Sequence, residues 1–341
     1  MISQRVLVTG GSGFIAGHCI LQLLEQGHFV RTSLRSLAKE AAVRGVLQDA
    51  GMVHSDGLSF VAADLLRDDG WGEAVAGMDV VLHVASPVQP GRVANEDEVI
   101  VPAREGTLRV LRAARDAGVK RVVLTSAFHA VSWGHPHGNH VFTEADWTNI
   151  DGAGVDAYGK SKTLAERAAW DFIAAEGGGL ELTTMLPVAV MGPVIGKDVS
   201  GANHIVQRML DGAMSVVPNL FIPVVDVRDV ANAHILAMTN PGASGERFLL
   251  SNGPALSLKE IGAIIRAALG GAARRVPTRA LPDFLMRIVA RFNAEMRPFV
   301  PDLGYAKKTS NDKARRVLDW TPREPLEAIA AAAASMAGRT G

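Results

Sequence analysis

Near its start the chain reads Val6-Leu7-Val8-Thr9-Gly10-Gly11-Ser12-Gly13-Phe14-Ile15-Ala16. The β-branched run at its front indicates a strand, and the residues from Phe14 onwards indicate a helix, so the glycines occupy the turn between them. Glycine permits a tight turn and lets the backbone approach a pyrophosphate, while the N-terminus of the helix offers free N–H groups. The stretch therefore predicts a dinucleotide-binding turn.

The rest of the first half alternates short apolar runs with longer helical stretches. The runs are apolar on both faces, which is typical of parallel strands covered by helices on both sides. This alternation predicts a doubly wound parallel sheet, the Rossmann type of α/β fold. The predicted strands are Arg5–Val8, Phe29–Thr32, Leu58–Val61, Val80–His83, Val119–Thr125 and Leu180–Leu186.

Beyond Pro187 the alternation is interrupted by glycines and prolines. The later elements predicted are strands at Phe221–Val225 and Phe248–Leu250 and helices at Val227–Met238, Ser257–Leu269 and Ile329–Ala337. The predicted division is a Rossmann domain at 1–190, with a returning segment at about 221–250, and a smaller C-terminal substrate lobe at 191–220 and 251–341.

The composition excludes several classes of protein. Hydrophobic residues make up 48% of the 341 residues, so a sizeable core is available. Lys+Arg and Asp+Glu both number 35, and the zero net charge argues against nucleic acid or an anionic membrane as a partner. We see no apolar run long enough to span a bilayer and no secretory leader. The single cysteine, Cys19, cannot form an intrachain disulfide, so we expect a cytoplasmic protein.

The segment from His28 to Lys39 indicates which dinucleotide the chain prefers. An NAD site needs a carboxylate near the end of the second strand, but this segment has no Asp or Glu and carries Arg31, Arg35 and Lys39. A guanidinium binds a phosphate through two hydrogen bonds, so NADP is favoured, with Arg35 the first choice and Arg31 the second. A solvated basic turn is the alternative.

A second motif, Tyr158-Gly-Lys-Ser-Lys162, opens a stretch that reads as helix. Residues four apart lie on one helical face, so the phenol and the ammonium are neighbours. The pKa of a free phenol is about 10, and a nearby ammonium lowers it. We therefore expect Tyr158 to exchange a proton with a carbonyl oxygen and Lys162 to assist it, unless the two are an ordinary surface pair.

Taken together, these motifs resemble the extended short-chain dehydrogenase/reductase family, in its dihydroflavonol-4-reductase-like and NADPH-dependent aldehyde (carbonyl) reductase branch. The glycine turn is similar to the opening of that family, and the run from Tyr158 to Trp170 is similar to its catalytic helix. Three further segments resemble the branch: Val81-Leu-His-Val-Ala-Ser-Pro-Val88, Leu186-Pro-Val-Ala-Val-Met-Gly-Pro193 and Val225-Asp-Val-Arg-Asp-Val-Ala-Asn-Ala-His234.

The resemblance implies NADP(H) as cofactor and gives individual residues a role. Those implied at the phosphates and the adenosine are Gly10, Ser12, Gly13, Phe14, Ile15, Arg35, Asp64, Leu65, Val84, Ala85 and Ser86. Those implied at the nicotinamide and its ribose are Tyr158, Lys162, Pro187 and Val190.

One position departs from the family. The branch ends its fifth strand in Thr-Ser-Ser, whose second serine helps the tyrosine polarise the carbonyl, whereas this chain has Ala127 there. Alanine cannot donate a hydrogen bond. Ser126 supplies the hydroxyl instead, or His129 or a lobe residue substitutes for it, or Tyr158 acts unaided. Ser126 is retained with Tyr158 and Lys162 as a candidate catalytic residue.

Two clusters are interpreted without a catalytic role. Loop 135–140 carries three histidines, but glycine and proline interrupt it and its spacing is not that of a helical zinc site, so we expect no metal. The polar residues of 226–234 suggest an acid–base set, but in the resembled family they pin a late helix to the sheet.

We expect an NADPH-dependent reductase that acts on the carbonyl of a small or aromatic aldehyde or ketone. A nucleotide-sugar epimerase or dehydratase of the same family is an alternative, but segment 196–220 is too apolar to suggest a diphosphate site. A non-catalytic NADP-binding sensor is another alternative, and Ala127 keeps it open. The family contains both monomers and homodimers, so either state is compatible with the resemblance.

Overall fold

The structure of the protein, a computed structural model, describes residues 3–87, 93–292 and 296–337. Val88 of the motif quoted above and residues 338–341 of the predicted lobe lie outside this range. The strands are β1 (Arg5–Val8), β2 (Phe29–Leu34), β3 (Leu58–Ala62), β4 (Val80–His83), β5 (Arg121–Thr125), β6 (Val141–Phe142), β7 (Glu181–Pro187), β8 (Ala189–Met191), β9 (Val217–Pro218), β10 (Phe221–Ile222), β11 (Val224–Asp226), β12 (Arg247–Leu250), β13 (Leu256–Ser257), β14 (Ala280–Leu281) and β15 (Lys308–Thr309).

The helices alternate with these strands through the first half of the chain. They are α1 (Phe14–Glu25), α2 (Glu40–Asp49), α3 (Trp71–Val75), α4 (Asp97–Asp116), α5 (Ala157–Glu176), α6 (Asn203–Leu210), α7 (Val227–Thr239), α8 (Leu258–Leu269), α9 (Asp283–Phe292), α10 (Asp312–Leu318) and α11 (Pro325–Ala337). None of these helices is both long and apolar enough to cross a bilayer, in the part of the chain that the structure describes.

A seven-stranded parallel sheet, in the order β12-β7-β5-β4-β1-β2-β3, forms the centre of the molecule. The chain leaves β1 for β2 and β3 on one side and then crosses to β4 on the other side. The carboxyl ends of β1 and β4 therefore flank the point where the strand order reverses, which is where such sheets bind ligands. The predicted Rossmann α/β class is confirmed.

Successive side chains of the sheet strands face opposite layers, which explains why the strands are apolar on both faces. Val6 and Val8 pack with α1 and α7, whereas Leu7 packs with α3, α4 and α5. A separate apolar cluster joins α6, α8 and α11, with Val206, Ile261 and Ala332 completely buried in it. Most of this cluster lies within the segments predicted for the substrate lobe, although Val224 belongs to the returning segment, and the division into domains stays a prediction.

One predicted strand is divided in the structure. The prediction of a single strand at Phe221–Val225 is wrong, because Pro223 has no N–H to donate and separates β10 from β11. β10 pairs with β13, and β11 pairs with β8, both outside the central sheet. The chain returns to the central sheet only at β12, which lies beside β7.

A buried carboxylate ties α5 to three strands of the sheet. Glu166 of α5 accepts hydrogen bonds from the hydroxyls of Ser126 (2.7 Å) and Thr184 (2.8 Å) and from Nε of Arg247 (2.8 Å). The side chain of Glu166 is 0% exposed and that of Arg247 is 10% exposed. The Arg247 guanidinium also lies 3.7 Å from the ring centroid of Trp147. The position of α5 against the strands therefore depends on a charge pair that is almost completely buried.

We expect Arg247→Met to lower the free energy of unfolding by about 3–5 kcal/mol, because it leaves the buried Glu166 carboxylate without its counter-charge. Urea unfolding measures the change. The matched control is Arg67→Met, whose ion pair with Asp69 is on the surface with both side chains mostly exposed; this variant should change stability by less than about 0.5 kcal/mol. Equal losses in the two variants would contradict the role of burial.

Candidate active site

A single cavity of about 1360 Å³ runs along the carboxyl ends of the central strands. This volume exceeds that of a pocket for one drug-sized molecule, so the cavity has room for a dinucleotide and a small second ligand. Of the residues predicted at the site, those that line it are Gly10, Ser12, Gly13, Phe14, Ile15, Arg35, Asp64, Leu65, Val84, Ala85, Ser86, Ser126, Tyr158, Pro187 and Val190. Lys162 is buried one helical turn beyond Tyr158. The structure thus brings the predicted residues together, and their roles stay predictions.

The glycine turn has no space for side chains. Gly10 has a φ of +73°, and a Cβ there would lie 2.9 Å from the Cβ of Ala85. A Cβ on Gly11 would lie 2.3 Å from Oγ1 of Thr32 in β2. Helix α1 starts directly after Gly13, and no side chain caps its N–H groups. The cavity therefore meets bare backbone and a free helix N-terminus, which is what a pyrophosphate requires.

Hydrogen bonds to neighbouring strands fix the turn from both sides. The N–H of Gly10 donates to Oγ of Ser33 (3.0 Å) and the N–H of Ala85 donates to Oγ1 of Thr9 (2.9 Å). Oγ1 of Thr9 also lies 2.9 Å from Nδ1 of His83. Burial lowers the pKa of His83 to about 3, so its ring is neutral. The roles of Thr9, Ser33 and His83 were not predictable from the sequence, because only the pairing of the strands shows that they meet.

The two arginines after the first helix have different environments. Nη1 of Arg31 donates to the carbonyl oxygens of Glu73 (2.8 Å) and Ala76 (2.9 Å) and so closes the end of α3. Arg35 and Lys39 both line the cavity, are exposed, and make no side-chain hydrogen bond or ion pair with any described residue. Arg35 is therefore free to bind a phosphate. Arg31, the second choice from the sequence, already donates its hydrogen bonds to backbone carbonyl groups.

The phenol of Tyr158 lines the cavity, and the ammonium of Lys162 is buried one helical turn beyond it on α5. Asp156 caps the helix by accepting the N–H of Gly159 (2.7 Å), and Nζ of Lys162 lies 5.9 Å from the ring centroid of Tyr158. Lys162 donates no hydrogen bond within the described residues. A buried ammonium needs acceptors, and ribose hydroxyls would supply them, so the residues present fit a nicotinamide nucleotide.

The pKa values of this pair differ from the expectation. Burial, followed by the nearby Asp156 carboxylate, raises the pKa of Tyr158 to about 12. Burial lowers the pKa of Lys162 to about 8, against the opposing effect of Glu166. The predicted lowering of the phenol pKa is therefore not found, because desolvation of the phenolate and the nearby Asp156 carboxylate both raise it.

The place of the usual second serine is taken by Ala127, which is buried at the cavity wall. The hydroxyl of Ser126 donates to the Glu166 carboxylate, so it belongs to the network that holds α5. The ring of His129 lies at the same wall, edge-on to Tyr158 with 4.9 Å between ring centroids, and is stacked on Trp133 at 3.8 Å. Ser126 is thus engaged by Glu166, and of the alternatives that the sequence left open, His129 is the polar side chain that contacts Tyr158.

His129 is a neutral imidazole in this environment. Burial is the main reason why its pKa falls to about 3, and the ammonium groups of Lys307 and Lys162 add to the effect. A neutral imidazole carries one N–H donor. Neither ring nitrogen forms a hydrogen bond with the described part of the chain, so the donor is available to a ligand.

The histidines of loop 135–140 are engaged separately. His135 contacts the carbonyl oxygen of Trp147, and His140 pairs with Asp146. Nε2 of His137 lies 3.2 Å from Oδ1 of Asp302. Over residues 3–87, 93–292 and 296–337 no group of side chains has the arrangement of a metal site.

The polar residues of segment 226–234 hold α7 in place. Asp226 accepts the N–H of Arg228 at the start of the helix and also binds its guanidinium. Asp229 pairs with Arg323. Nε2 of His234 lies 2.7 Å from Oγ1 of Thr125 at the end of β5. These contacts confirm the structural interpretation of the segment.

The chain has relatives along its whole length. It is 32% identical to cinnamoyl-CoA reductase CAD2 of Medicago truncatula, over 95% of this chain and 93% of that protein. It is 32% identical to the ketoreductase azaE of Aspergillus niger, over 98% of both. Its fold matches the crystal structure of Gre2 from Candida albicans in complex with NADPH, with a TM-score of 0.80 and 26% identity over 99% of this chain and 100% of that one.

The sequence pattern of the NAD dependent epimerase/dehydratase family matches residues 6–250. The match extends from the glycine turn to the last strand of the central sheet, and so includes both Tyr158 and Lys162. The chain therefore belongs to this family, among the reductases of the extended short-chain dehydrogenase/reductase type.

Proposed function

We propose that the protein is an NADP(H)-dependent reductase of a small or aromatic aldehyde or ketone, with Tyr158 as the proton donor. The observation that carries the proposal is the placement of the Tyr158 phenol beside the buried Lys162 ammonium, on the cavity that starts at the glycine turn. The names of the relatives, a cinnamoyl-CoA reductase and a ketoreductase among them, support it.

The chain offers a distinct group for each part of the cofactor. The N–H groups at the start of α1 would receive the pyrophosphate, Arg35 would receive the 2′-phosphate, and Asp64 and Leu65 would adjoin the adenine. Pro187 and Val190 would contact the nicotinamide, and Lys162 would bind its ribose. Bound NADPH supplies the hydride equivalent for the reduction.

The raised pKa of Tyr158 keeps the phenol protonated but makes it a weaker acid, so its proton transfer depends on stabilisation of the phenolate. At neutral pH the phenol is fully protonated, because its pKa is about 12. As negative charge develops on the carbonyl oxygen of the substrate, the phenol donates its proton to that oxygen. Lys162, with a pKa of about 8, is mostly charged at pH 7 and stabilises the phenolate that remains.

We propose that the imidazole N–H of His129 donates the second hydrogen bond to the carbonyl oxygen. In the resembled family a serine hydroxyl fills this role. The ring is neutral, contacts Tyr158 edge-on and forms no other hydrogen bond with the described residues. Ser126 then helps to hold α5 in place through its hydrogen bond to Glu166, and it does not contact the substrate.

The lobe side of the cavity favours an apolar substrate body over a nucleotide sugar. Ala202, Phe221, Ile222 and Pro223 line it there. A diphosphate needs several cationic clamps on that side, and Lys307 is the one lysine or arginine that the described part of the predicted lobe contributes to the lining. The proposed function is therefore a carbonyl reductase rather than an epimerase or dehydratase.

We also propose that the protein works in the cytoplasm, as a monomer or homodimer. Cys19, the one cysteine of the sequence, is completely buried, and burial raises the pKa of its thiol to about 12. A buried and protonated thiol is inert, which suits a chain that needs no disulfide.

Tyr158→Phe should lower kcat/KM for NADPH-dependent aldehyde reduction by at least about 100-fold, because the proton donor is lost. The Kd for NADPH, measured by fluorescence titration, should change by less than about twofold, because the ring is retained. Tyr305→Phe is the control, since Tyr305 is the other tyrosine and also lines the cavity. Normal turnover by Tyr158→Phe would show that the proton donor is wrongly assigned.

Arg35→Ala should weaken NADPH binding by about 10-fold or more, because it removes a charge-assisted pair with the 2′-phosphate. NADH lacks this phosphate, so its Kd should stay within about twofold, and it serves as the internal control. An equal loss of affinity for the two nucleotides would show that Arg35 does not contact the 2′-phosphate.

His129→Phe should lower kcat by about 100-fold while the Kd for NADPH is retained, because one donor to the developing oxyanion is removed. Adding Ala127→Ser to this variant should restore part of the activity, because the serine hydroxyl returns to its usual place. Ser126→Ala measures the competing assignment. If it lowers kcat more than His129→Phe does, Ser126 is the donor instead.

A further inference from the structure

We propose that the substrate is an oxo acid, whose carboxylate binds Lys307 while its carbonyl group faces Tyr158. This inference rests on the proposed reductase function and narrows its substrate class. It starts from a cation at the cavity wall that lies outside every motif of the sequence.

Lys307 belongs to the same wall as the phenol. Its Nζ lies 3.6 Å from the ring centroid of Trp133, which is stacked on His129, and His129 in turn contacts Tyr158. All four side chains line the cavity. A ligand that reaches from Tyr158 along the His129 and Trp133 rings therefore meets the ammonium of Lys307.

The ammonium of Lys307 has no anionic partner of its own. Within the part of the chain that the structure describes, it forms neither an ion pair nor a hydrogen bond, and it lies over the Trp133 ring. Burial lowers its pKa, and the nearby Asp302 opposes this effect without forming an ion pair with it. A partly desolvated cation without a hydrogen-bonded counter-charge is unfavourable, so an anionic ligand group would stabilise it.

The acidic groups near this end of the cavity have other contacts. Oδ1 of Asp302 lies 3.2 Å from Nε2 of His137, and Asp156 caps α5 through the N–H of Gly159. Some lysines of the surface are paired, as Lys160 is with Glu96 and Lys313 with Glu246. Two lysines line the cavity without an ion pair to a described residue, and of these Lys39 is exposed, whereas Lys307 is partly buried and lies over the Trp133 ring.

The spacing of the wall indicates the shape of the oxo acid. Two aromatic rings separate the phenol of Tyr158 from the ammonium of Lys307, so the carboxylate and the reacting carbonyl do not lie on adjacent carbons. Flat rings also favour a flat, apolar body between the two groups. A benzaldehyde with a carboxylate opposite the aldehyde has this arrangement, and 4-formylbenzoate is therefore the probe.

The experiment compares 4-formylbenzoate with its methyl ester, which keeps the aldehyde and the ring but lacks the charge. NADPH consumption is followed for the wild-type chain, for Lys307→Met and for Lys308→Met. Lys308 is the matched control, because it is exposed and its Nζ donates to Asn139. The wild-type chain should prefer the acid by at least about 10-fold in kcat/KM.

In Lys307→Met, kcat/KM for the acid should fall by about 10- to 100-fold, mainly through KM, while that for the ester stays within about twofold. Unchanged ester turnover also shows that this variant is folded and that its site is intact. Lys308→Met should resemble the wild-type chain with both compounds. The proposal is overturned if the wild-type chain shows no preference for the acid, or if Lys307→Met lowers turnover of both compounds equally.

Binding separates this proposal from the reductase function itself. Calorimetry of the NADP⁺-loaded chain with 4-(hydroxymethyl)benzoate and with its methyl ester needs no turnover. If neither aldehyde is reduced but the acid binds at least about 10-fold more tightly than its ester, and Lys307→Met abolishes the difference, the reductase function fails and the carboxylate site stands. Equal binding of acid and ester overturns the carboxylate site whatever the turnover.

Discussion

The arrangement of the site depends on the buried carboxylate of Glu166. It lies two helical turns along α5 from Tyr158 and binds side chains that follow or belong to β5, β7 and β12. Because these bonds fix the helix along its axis and around it, they also fix where the phenol projects over the sheet. The same carboxylate explains two features of the chemistry: it takes up the hydroxyl of Ser126, and it opposes the effect of burial on the pKa of Lys162.

Three cations line the cavity or lie directly behind its wall. Arg35 lies near the glycine turn, Lys162 beside the phenol, and Lys307 beyond the His129 and Trp133 rings. None of the three forms an ion pair with the described part of the chain. Elsewhere the same chain pairs its buried charges closely, as Arg247 does with Glu166. These three unpaired cations lie at the places where a phosphate, a ribose and a substrate anion are proposed to bind.

The parts of the site that were predictable depend on local sequence. The glycine turn must lie between β1 and α1, and a spacing of four places Tyr158 and Lys162 on one face of a helix. The contact of Lys307 with Trp133 was not predictable, because the two residues come from distant segments that meet only by tertiary packing. The pKa of Tyr158 was predicted in the wrong direction, since the charge of Lys162 is visible in the sequence and the desolvation of the phenol is not. The division of the late strand at Pro223 could have been predicted, because proline has no N–H to donate to a neighbouring strand.

The different environments of Arg31 and Arg35 have a consequence for the evolution of the chain. One guanidinium closes the end of α3, and the other extends into the cavity with no intramolecular partner. Replacement of the second removes nothing that the folded state requires. Substitutions at Arg35 can therefore change the selectivity between NADPH and NADH without changing the stability of the fold. A lineage that changes its cofactor in this way need not acquire compensating substitutions in its core.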